Sequence, residues 1–372
     1  MKPTIAKIYI ENLRHNLKFI RSRMSPDSKM CVAVKADAYG HGAVRCAREA
    51  VDCGVDFLAV ARVSEGVELR ESGISVPILL LSLCDLSEMD DLVKFDITPL
   101  VYDEEYIGCV EKAVAKAGKS RYPVHLAVDT GMGRIGCLPE DAVSLAKTIV
   151  SSGHLSLGGM CTHFATADSY EKEDVDYTNW QFDNFLYATE SVRNAGINPG
   201  IRHCANSALT LNRPETHLDM CRPGIIVYGY YPGDLRGDDL KPVMSLSTKV
   251  VSIRDFSKGK SVSYGRTWTA PSDTKIGVLP IGYDDGLFRR FAGNISVAIN
   301  GKKYPIRGRI CMDQCMVDLG ADTKVKRWDE VVVFGPKESG ALQTADDLAL
   351  MTDTIPYEIT CQISKRVERI FV

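Results

Sequence analysis

Short apolar segments alternate with longer amphipathic stretches through residues 1–240. Most of the short segments are nearly continuous apolar runs, which is typical of parallel strands that are covered on both faces. The longer stretches have helical spacing, as in Leu13, Leu17, Ile20 and Met24 before the first strand. The predicted strands are Met30–Lys35, Asp56–Val60, Pro77–Ser82, Ile97–Val101, Pro123–Val128, Leu155–Met160, Gly200–Cys204 and His217–Arg222.

Eight consecutive strand–helix units predict an α/β fold, a TIM-like (β/α)8 barrel. Amphipathic stretches over Asp103–Ala117 and Asp141–Val150 supply two of the outer helices. A doubly wound parallel sheet is the competing architecture, and a count of strands alone does not separate the two.

The pattern changes after about Leu240, where shorter strands separated by turn residues predict a mostly β second domain. Only Thr344–Met351 has a clear helical pattern, and Gly233–Asp239 is the expected linker. We expect domains at 1–240 and 241–372. The predicted strands of the second domain are Lys249–Phe256, Ile276–Pro280, Ile295–Ile299, Tyr304–Ile310 and Val331–Phe334.

Composition narrows the class of protein. Of 372 residues, 45% are hydrophobic and 25% are charged, and the net charge is 45 − 48 = −3. This balance is typical of a soluble globular protein and gives no electrostatic reason to bind nucleic acid or a membrane. The twelve cysteines form no C-x-x-C pair and no metal-ligand pattern, and the N-terminus has no secretory segment. We expect a cytoplasmic protein with reduced thiols and no metal.

The segment Gly131–Gly136 matches G-x-G-x-x-G and follows a predicted strand. A dinucleotide site also needs an acidic residue about 20 positions further on, and the chain has none there. The segment therefore does not indicate a dinucleotide site.

Lys35 stands at the end of the first apolar strand. Desolvation lowers the pKa of a lysine and yields a neutral amine that can attack a carbonyl. A lysine whose amine simply reaches water from the strand end is the alternative, and position alone does not decide between them.

The segment Val32–Gly42, with Lys35, Tyr39 and Gly-His-Gly in order, resembles the pyridoxal-phosphate attachment site of bacterial alanine racemases. Further segments resemble that family in the same order and cover nearly the whole chain. They are Asp129–Arg134, Thr162–Ala165, Asn206–Ser207, Arg222–Ile225, Ser263–Arg266, Gly308–Gln314 and Ile355–Glu358.

The resemblance implies a pyridoxal 5'-phosphate enzyme that interconverts L- and D-alanine, a small amino-acid substrate, and supplies D-alanine for peptidoglycan. Lys35 would hold the cofactor and move a proton on one face of the substrate, and Arg222 would face the pyridine nitrogen. His163 would contact Arg222. The phosphate would be bound by Tyr39, Ser207, Gly224, Ile225 and Tyr357.

The resemblance also implies a homodimer with composite active sites, in which Tyr264 is the second base and comes from the other subunit. Arg134 and the backbone at Met312 would bind the substrate carboxylate. Tyr283, Arg290 and Arg309 would line the entrance. The phenol of Tyr264 needs a lowered pKa to act as a base, and His163 and Arg222 are the candidate cationic neighbours.

One position departs from the family pattern. Many alanine racemases carry a carbamylated lysine two residues before the Asp-Thr-Gly segment, and its charge orients the arginine that binds the carboxylate. This chain has Ala127 there. What orients Arg134 is left open, with a bound chloride as one option.

Three other functions remain at this stage. A serine or broad-specificity racemase would have a smaller polar residue where this chain keeps Tyr357. A non-catalytic cofactor carrier would lack the second domain with Tyr264 and Met312. A decarboxylase of the same fold would not be expected to place an arginine at the pyridine nitrogen.

Overall fold

A computed structural model describes residues 3–372, and two large sheets organise the molecule. The first is an eight-stranded parallel barrel, in which each of the first seven strands pairs with its neighbour in sequence. Its strands are Lys29–Ala33, Phe57–Val60, Ile78–Leu80, Ile97–Val101, Tyr122–Ala127, Leu155–Cys161, Ile201–His203 and Met220–Cys221. The predicted α/β barrel is confirmed.

The eighth barrel strand closes the sheet. Met220 and Cys221 pair in parallel with Lys29 and Met30 of the first strand. On its other side, the backbone N–H of Asp219 donates to the carbonyl of Arg202 at 3.1 Å, next to the seventh strand. Because the barrel is closed, the carboxyl ends of all eight strands meet at one face.

Helices cover the outside of the barrel, since their apolar stripes need a surface to bury against. The first has Leu13, Leu17 and Ile20 on its buried face, as the spacing predicts. The helices of this part of the chain are Ile10–Arg23, Ala43–Asp52, Val63–Glu71, Met89–Lys94, Glu104–Lys116, Ala142–Ser151, Lys172–Asn194 and Ser207–Asn212. Lys35–Tyr39 forms a short left-handed turn between the first strand and the second of these helices.

The second sheet has nine strands and is antiparallel apart from one edge pair. Its strands, in spatial order, are Ser252–Phe256, Thr274–Leu279, Cys315–Asp318, Lys302–Arg307, Ser296–Ile299, Glu330–Phe334, Met244–Lys249, Ile5–Ile8 and Glu368–Phe371. A small ribbon of Ser261–Val262 and Trp268–Thr269 and the helices Ala345–Leu350 and Pro356–Cys361 complete this part. The mostly β second domain is confirmed.

Strand Ile5–Ile8 belongs to the second sheet although it precedes the barrel in sequence. It lies between Met244–Lys249, with which it is antiparallel, and Glu368–Phe371, with which it is parallel. The two parts of the molecule are therefore joined at both ends of the barrel segment. Within residues 3–372, no helix combines the length and apolar character needed to cross a bilayer.

Candidate functional site

A cavity of about 600 Å³ opens at the carboxyl ends of the barrel strands. Nine of the residues expected in the site line this one cavity: Lys35, Tyr39, Arg134, His163, Ser207, Arg222, Gly224, Ile225 and Tyr357. Most of them come from segments that follow different barrel strands, which is how barrels assemble sites from distant parts of the sequence. Tyr357 enters from the helix Pro356–Cys361 of the second domain.

The chain makes an unusual left-handed turn directly after Lys35. Ala36, Asp37, Ala38 and Tyr39 all have φ between 52° and 54°, a region that costs an L-residue about 1–2 kcal/mol each. Such strain persists only where surrounding contacts hold it. Here the Glu65 carboxylate accepts from the N–H of Ala36 at 2.7 Å.

The Lys35 amine is half-buried and lies among cationic groups. Burial lowers its pKa, and the nearby guanidinium of Arg134 lowers it further. Both effects favour the neutral amine, which is the form that acts as a nucleophile or accepts a proton.

Arg222 is buried and donates hydrogen bonds on several sides. One terminal nitrogen donates to Nδ1 of His203 at 2.8 Å and to the His203 carbonyl at 2.7 Å. The other donates to the carbonyl of Thr162 at 2.7 Å. The guanidinium is therefore fixed at the cavity wall.

The imidazole of His163 lies beside this guanidinium, with Nδ1 at 3.4 Å from Arg222 Nη2. Burial and the charge of Arg222 lower the pKa of His163 to about 3. His163 is thus neutral at physiological pH. Of the two candidate cationic neighbours of Tyr264, the lowered pKa of His163 favours Arg222 as the cation.

A second group of polar residues lines the same cavity. The N–H of Gly224 donates to Ser207 Oγ at 2.8 Å, and the rings of Tyr39 and Tyr357 lie 5.8 Å apart. A Cβ at Gly224 would stand 2.7 Å from the Tyr39 hydroxyl, so any larger residue would displace that hydroxyl. Burial raises the pKa of both tyrosines, which keeps their hydroxyls protonated as donors. Hydroxyl and backbone donors around a glycine suit a phosphate.

Arg134 is exposed at the rim of the cavity, on the loop that follows the fifth strand. The carboxylate of Asp129 closes this loop by accepting from the N–H of Gly131 at 2.9 Å and of Gly133 at 3.1 Å. Ala127 lines the same cavity and contributes no charge.

Tyr264 and Met312 do not line the barrel cavity. They are 69% and 52% exposed and line a separate cavity of about 440 Å³ with Ser263, Cys311, Asp313 and Gln314. Within one chain, the structure does not bring Tyr264 to Lys35.

The residues expected at the entrance also lie outside the lining of the barrel cavity. Arg290 donates to the carbonyl of Thr352 at 2.7 Å, and Tyr283 is 41% exposed. Arg309 lies against Gly265, beside Tyr264. The backbone N–H of Tyr283 donates to the carbonyl of Cys311 at 3.1 Å, so Tyr283 and Arg309 lie near the segments of Met312 and Tyr264.

Sequence reasoning missed several residues that hold the site. Glu65 supports the strained turn, Gln181 links two loops of the cavity, and His125 accepts from His203 through Nδ1 at 2.7 Å. Each lies within a helix or strand pattern that packing alone explains, so no local signal marked it.

Comparison with known proteins identifies the family. Residues 8–232 match the family model of the alanine racemase N-terminal domain, and residues 243–371 match that of the C-terminal domain. The alanine racemase of Treponema denticola is 51% identical over 100% of this chain and 99% of its own length. That of Treponema pallidum is 43% identical, covering 99% and 98%.

This chain is also similar to solved structures of alanine racemases. An alanine racemase of Clostridium difficile has a TM-score of 0.93 at 40% identity, covering 100% of this chain and 96% of that one. One of Bacillus anthracis, with bound L-Ala-P, has a TM-score of 0.92 at 33% identity, covering 100% and 95%. This chain belongs to the alanine racemase family of isomerases.

Proposed function

We propose that this protein interconverts L- and D-alanine with pyridoxal 5'-phosphate as cofactor, using Lys35 and Tyr264 as two opposed bases, and that it supplies D-alanine for peptidoglycan. The observation that carries the proposal is the position of Lys35. Its half-buried amine, with a lowered pKa, opens onto a cavity lined by phosphate-type donors and a buried arginine.

The residues at the cavity fit the cofactor. Tyr39, Ser207, Tyr357 and the backbone of Gly224 and Ile225 would hold its phosphate, because hydroxyl and N–H donors suit a dianion. The cofactor, when bound, withdraws electrons from the substrate α-carbon and so acidifies its proton.

Arg222 is the residue that would hold the pyridine nitrogen. A guanidinium does not readily release its proton, so it donates to that nitrogen without protonating it. This limits electron withdrawal and disfavours side reactions such as decarboxylation. The fixed hydrogen bonds of Arg222 to His203 and Thr162 support this role.

Lys35 would accept or return a proton on one face of the α-carbon. The lowered pKa supports this role, because a base must be partly neutral at working pH. Racemisation requires a second base on the opposite face.

We place Tyr264 of a second copy of the chain at that opposite face. Tyr264 and Met312 are exposed beside a surface cavity, as expected for groups that complete a neighbour's site. The protein would therefore work as a homodimer with composite sites.

Arg134, with the backbone at Met312, would bind the substrate carboxylate. Tyr283, Arg290 and Arg309 would lie on the approach to the site. We also infer a cytoplasmic location, because all twelve cysteines, each within the described residues, are unpaired.

A chiral product assay on the cofactor-loaded protein tests the activity. L-alanine and L-serine are supplied separately in heavy water. We expect D-alanine with deuterium at the α-carbon and far less D-serine. D-serine in equal yield would instead indicate a broad-specificity racemase, and no exchange with either would indicate a cofactor carrier.

Mixing two inactive variants tests the composite site. A dimer of Lys35→Ala with Tyr264→Phe has one site with both bases and one site with neither. Random mixing makes half of the dimers mixed, so about a quarter of wild-type activity should return. If both bases came from one chain, mixing would restore nothing.

A further inference from the structure

Arg134 has no polar partner that fixes its guanidinium. It is exposed, and among residues 3–372 it makes no hydrogen bond or ion pair. Ala127, the neighbouring position that faces the cavity, carries no charge that could orient it. Its placement therefore depends on the backbone of its loop.

The two ends of the loop that carries Arg134 contact each other through their backbones. The N–H of Asp129 donates to the carbonyl of Cys137 at 2.8 Å, and Gly136 approaches the backbone of Asp129 too closely to accept a Cβ. Gly131 and Gly133 have φ of 131° and 68°, which only glycine adopts at low cost. One residue of the loop docks it on the barrel directly, since the hydroxyl of buried Thr130 lies 2.7 Å from that of Thr162.

The long helix Lys172–Asn194 supplies the other side-chain contacts that dock the loop. The Tyr177 hydroxyl donates to the carbonyl of Gly131 at 2.7 Å. A Cβ at Gly131 would stand 2.4 Å from the hydroxyl oxygen of Tyr177. Trp180 lies against the same glycine, with its ring 5.4 Å from that of Tyr177. Deeper in the protein, Gln181 donates to Thr130 Oγ1 at 3.4 Å.

Gln181 also ties the loop to the other side of the site. Its side chain donates to the carbonyl of His163 at 3.2 Å and accepts from the N–H of Ala165 at 3.0 Å. One helix thus contacts both the loop of Arg134 and the loop of His163.

We propose that Tyr177, packed against Trp180, is a positioning residue that sets the loop of Arg134 for binding of the substrate carboxylate. This inference rests on the proposed function, in which Arg134 binds that carboxylate. The Tyr177 hydroxyl fixes the Gly131 carbonyl three residues before Arg134, in place of a charge acting on the guanidinium itself.

The test compares three variants of the cofactor-loaded protein. Tyr177→Phe removes the hydroxyl and keeps the ring. Tyr187→Phe is the matched control, because Tyr187 is exposed on the same helix and its hydroxyl has no hydrogen bond among the described residues. Arg134→Met removes the guanidinium.

Two probes separate binding of the carboxylate from binding of the amine. Propionate, a carboxylate without an amine, is measured as a competitive inhibitor. Ethylamine, an amine without a carboxylate, is titrated by absorbance of the bound cofactor.

We expect Tyr177→Phe to raise the KM for both alanine enantiomers and the Ki of propionate by about 3- to 10-fold, the usual effect of one lost hydrogen bond. The kcat, the ethylamine constant and the Tm should stay close to wild type, as should every value for Tyr187→Phe. A purely structural effect would weaken ethylamine and propionate equally, and that result would overturn the proposal.

Arg134→Met separates the role of Tyr177 from the role of Arg134 itself. If propionate binding is lost in Arg134→Met but unchanged in Tyr177→Phe, the role of Tyr177 is wrong and the proposed function stands. If Arg134→Met binds propionate normally, the role assigned to Arg134 is wrong, and that of Tyr177 with it.

Discussion

The guanidinium of Arg222 donates to Nδ1 of His203 at 2.8 Å, and this single contact sets the protonation of two imidazoles. A guanidinium only donates, so Nδ1 of His203 carries no proton and Nε2 carries one. That proton is donated to Nδ1 of His125 at 2.7 Å. One arginine therefore determines the tautomers of His203 and His125, which are both buried.

These histidines should make stability depend on pH. Burial lowers the pKa of His125 to about 4 and of His163 to about 3, and that of His203 lies well below its ordinary value. The unfolded chain binds protons at these groups below pH 6.5, and the folded protein does not. The free energy of unfolding should thus fall as pH drops from about 6.5 to 4, by up to about 1.4 kcal/mol per pH unit for each histidine.

Urea unfolding of the cofactor-free protein at pH 7.5, 6 and 5 measures this slope. His125→Asn should flatten it by the contribution of that one buried histidine. An unchanged slope in His125→Asn would contradict the assignment.

Gly224→Ala should weaken cofactor binding more than folding. The added Cβ would stand 2.7 Å from the Tyr39 hydroxyl and push it from its place in the cavity. We expect the Kd for pyridoxal 5'-phosphate to rise by about tenfold or more, since overpacking displaces a phosphate donor. Fluorescence titration of the cofactor-free protein gives the Kd. Gly153→Ala is the control, because nothing lies within 4 Å of its added Cβ; equal affinities would refute the prediction.

Glu65→Gln should loosen the turn that follows Lys35. One carboxylate oxygen accepts from Ala36, and the other accepts from Ala61 at 2.8 Å and Arg62 at 3.1 Å. An amide replaces one of these acceptors by a donor, so the free energy of unfolding should fall by about 1–3 kcal/mol. Chemical denaturation of the cofactor-free protein measures this, with the exposed Glu68→Gln on the same helix as control. A loss below about 0.5 kcal/mol would show that other contacts hold the turn.

Tyr357→Ser should shift substrate preference toward serine. Tyr357 lines the cavity near Tyr39, and a smaller polar side chain leaves room for a hydroxymethyl group. We expect the ratio of kcat/KM for serine over alanine to rise by about 10-fold or more, the effect of one group in a pocket. Racemisation assays with both substrates give the ratio, and Tyr187→Ser is the control. An unchanged ratio would place the specificity elsewhere.

The sequence predicted the barrel well because its strands are nearly continuous apolar runs. Runs such as Ile97–Val101 are buried at every position and match the structure residue for residue. In the second sheet, Lys249–Phe256 was expected as one strand, but the structure has Met244–Lys249 and Ser252–Phe256 with a break between them. Strands Ile5–Ile8 and Glu368–Phe371 were missed, and their pairing joins segments from opposite ends of the sequence, which no local pattern reveals.

The site was predictable only where a residue follows a strand or matches a family segment. Lys35 and Arg222 meet both criteria, and both line the cavity. Tyr177 and Gln181 meet neither, because their contacts depend on how a long helix packs across two loops. The separation of Tyr264 from Lys35 within one chain is likewise a property of the fold rather than of local sequence.

The pairing of Ile5 with Glu368 has a consequence for biosynthesis of the protein. During translation, Ile5–Ile8 can pair with Met244–Lys249 first, but its pairing with Glu368–Phe371 waits for the last residues of the chain. The same late segment also reaches the lysine turn, where Arg369 donates to the carbonyl of Gly40 at 3.1 Å and Phe371 packs on Gly42. The turn after Lys35 therefore gains these contacts only once the last segment of the chain has been made, and on the proposed function binding of the cofactor would be a late event in maturation.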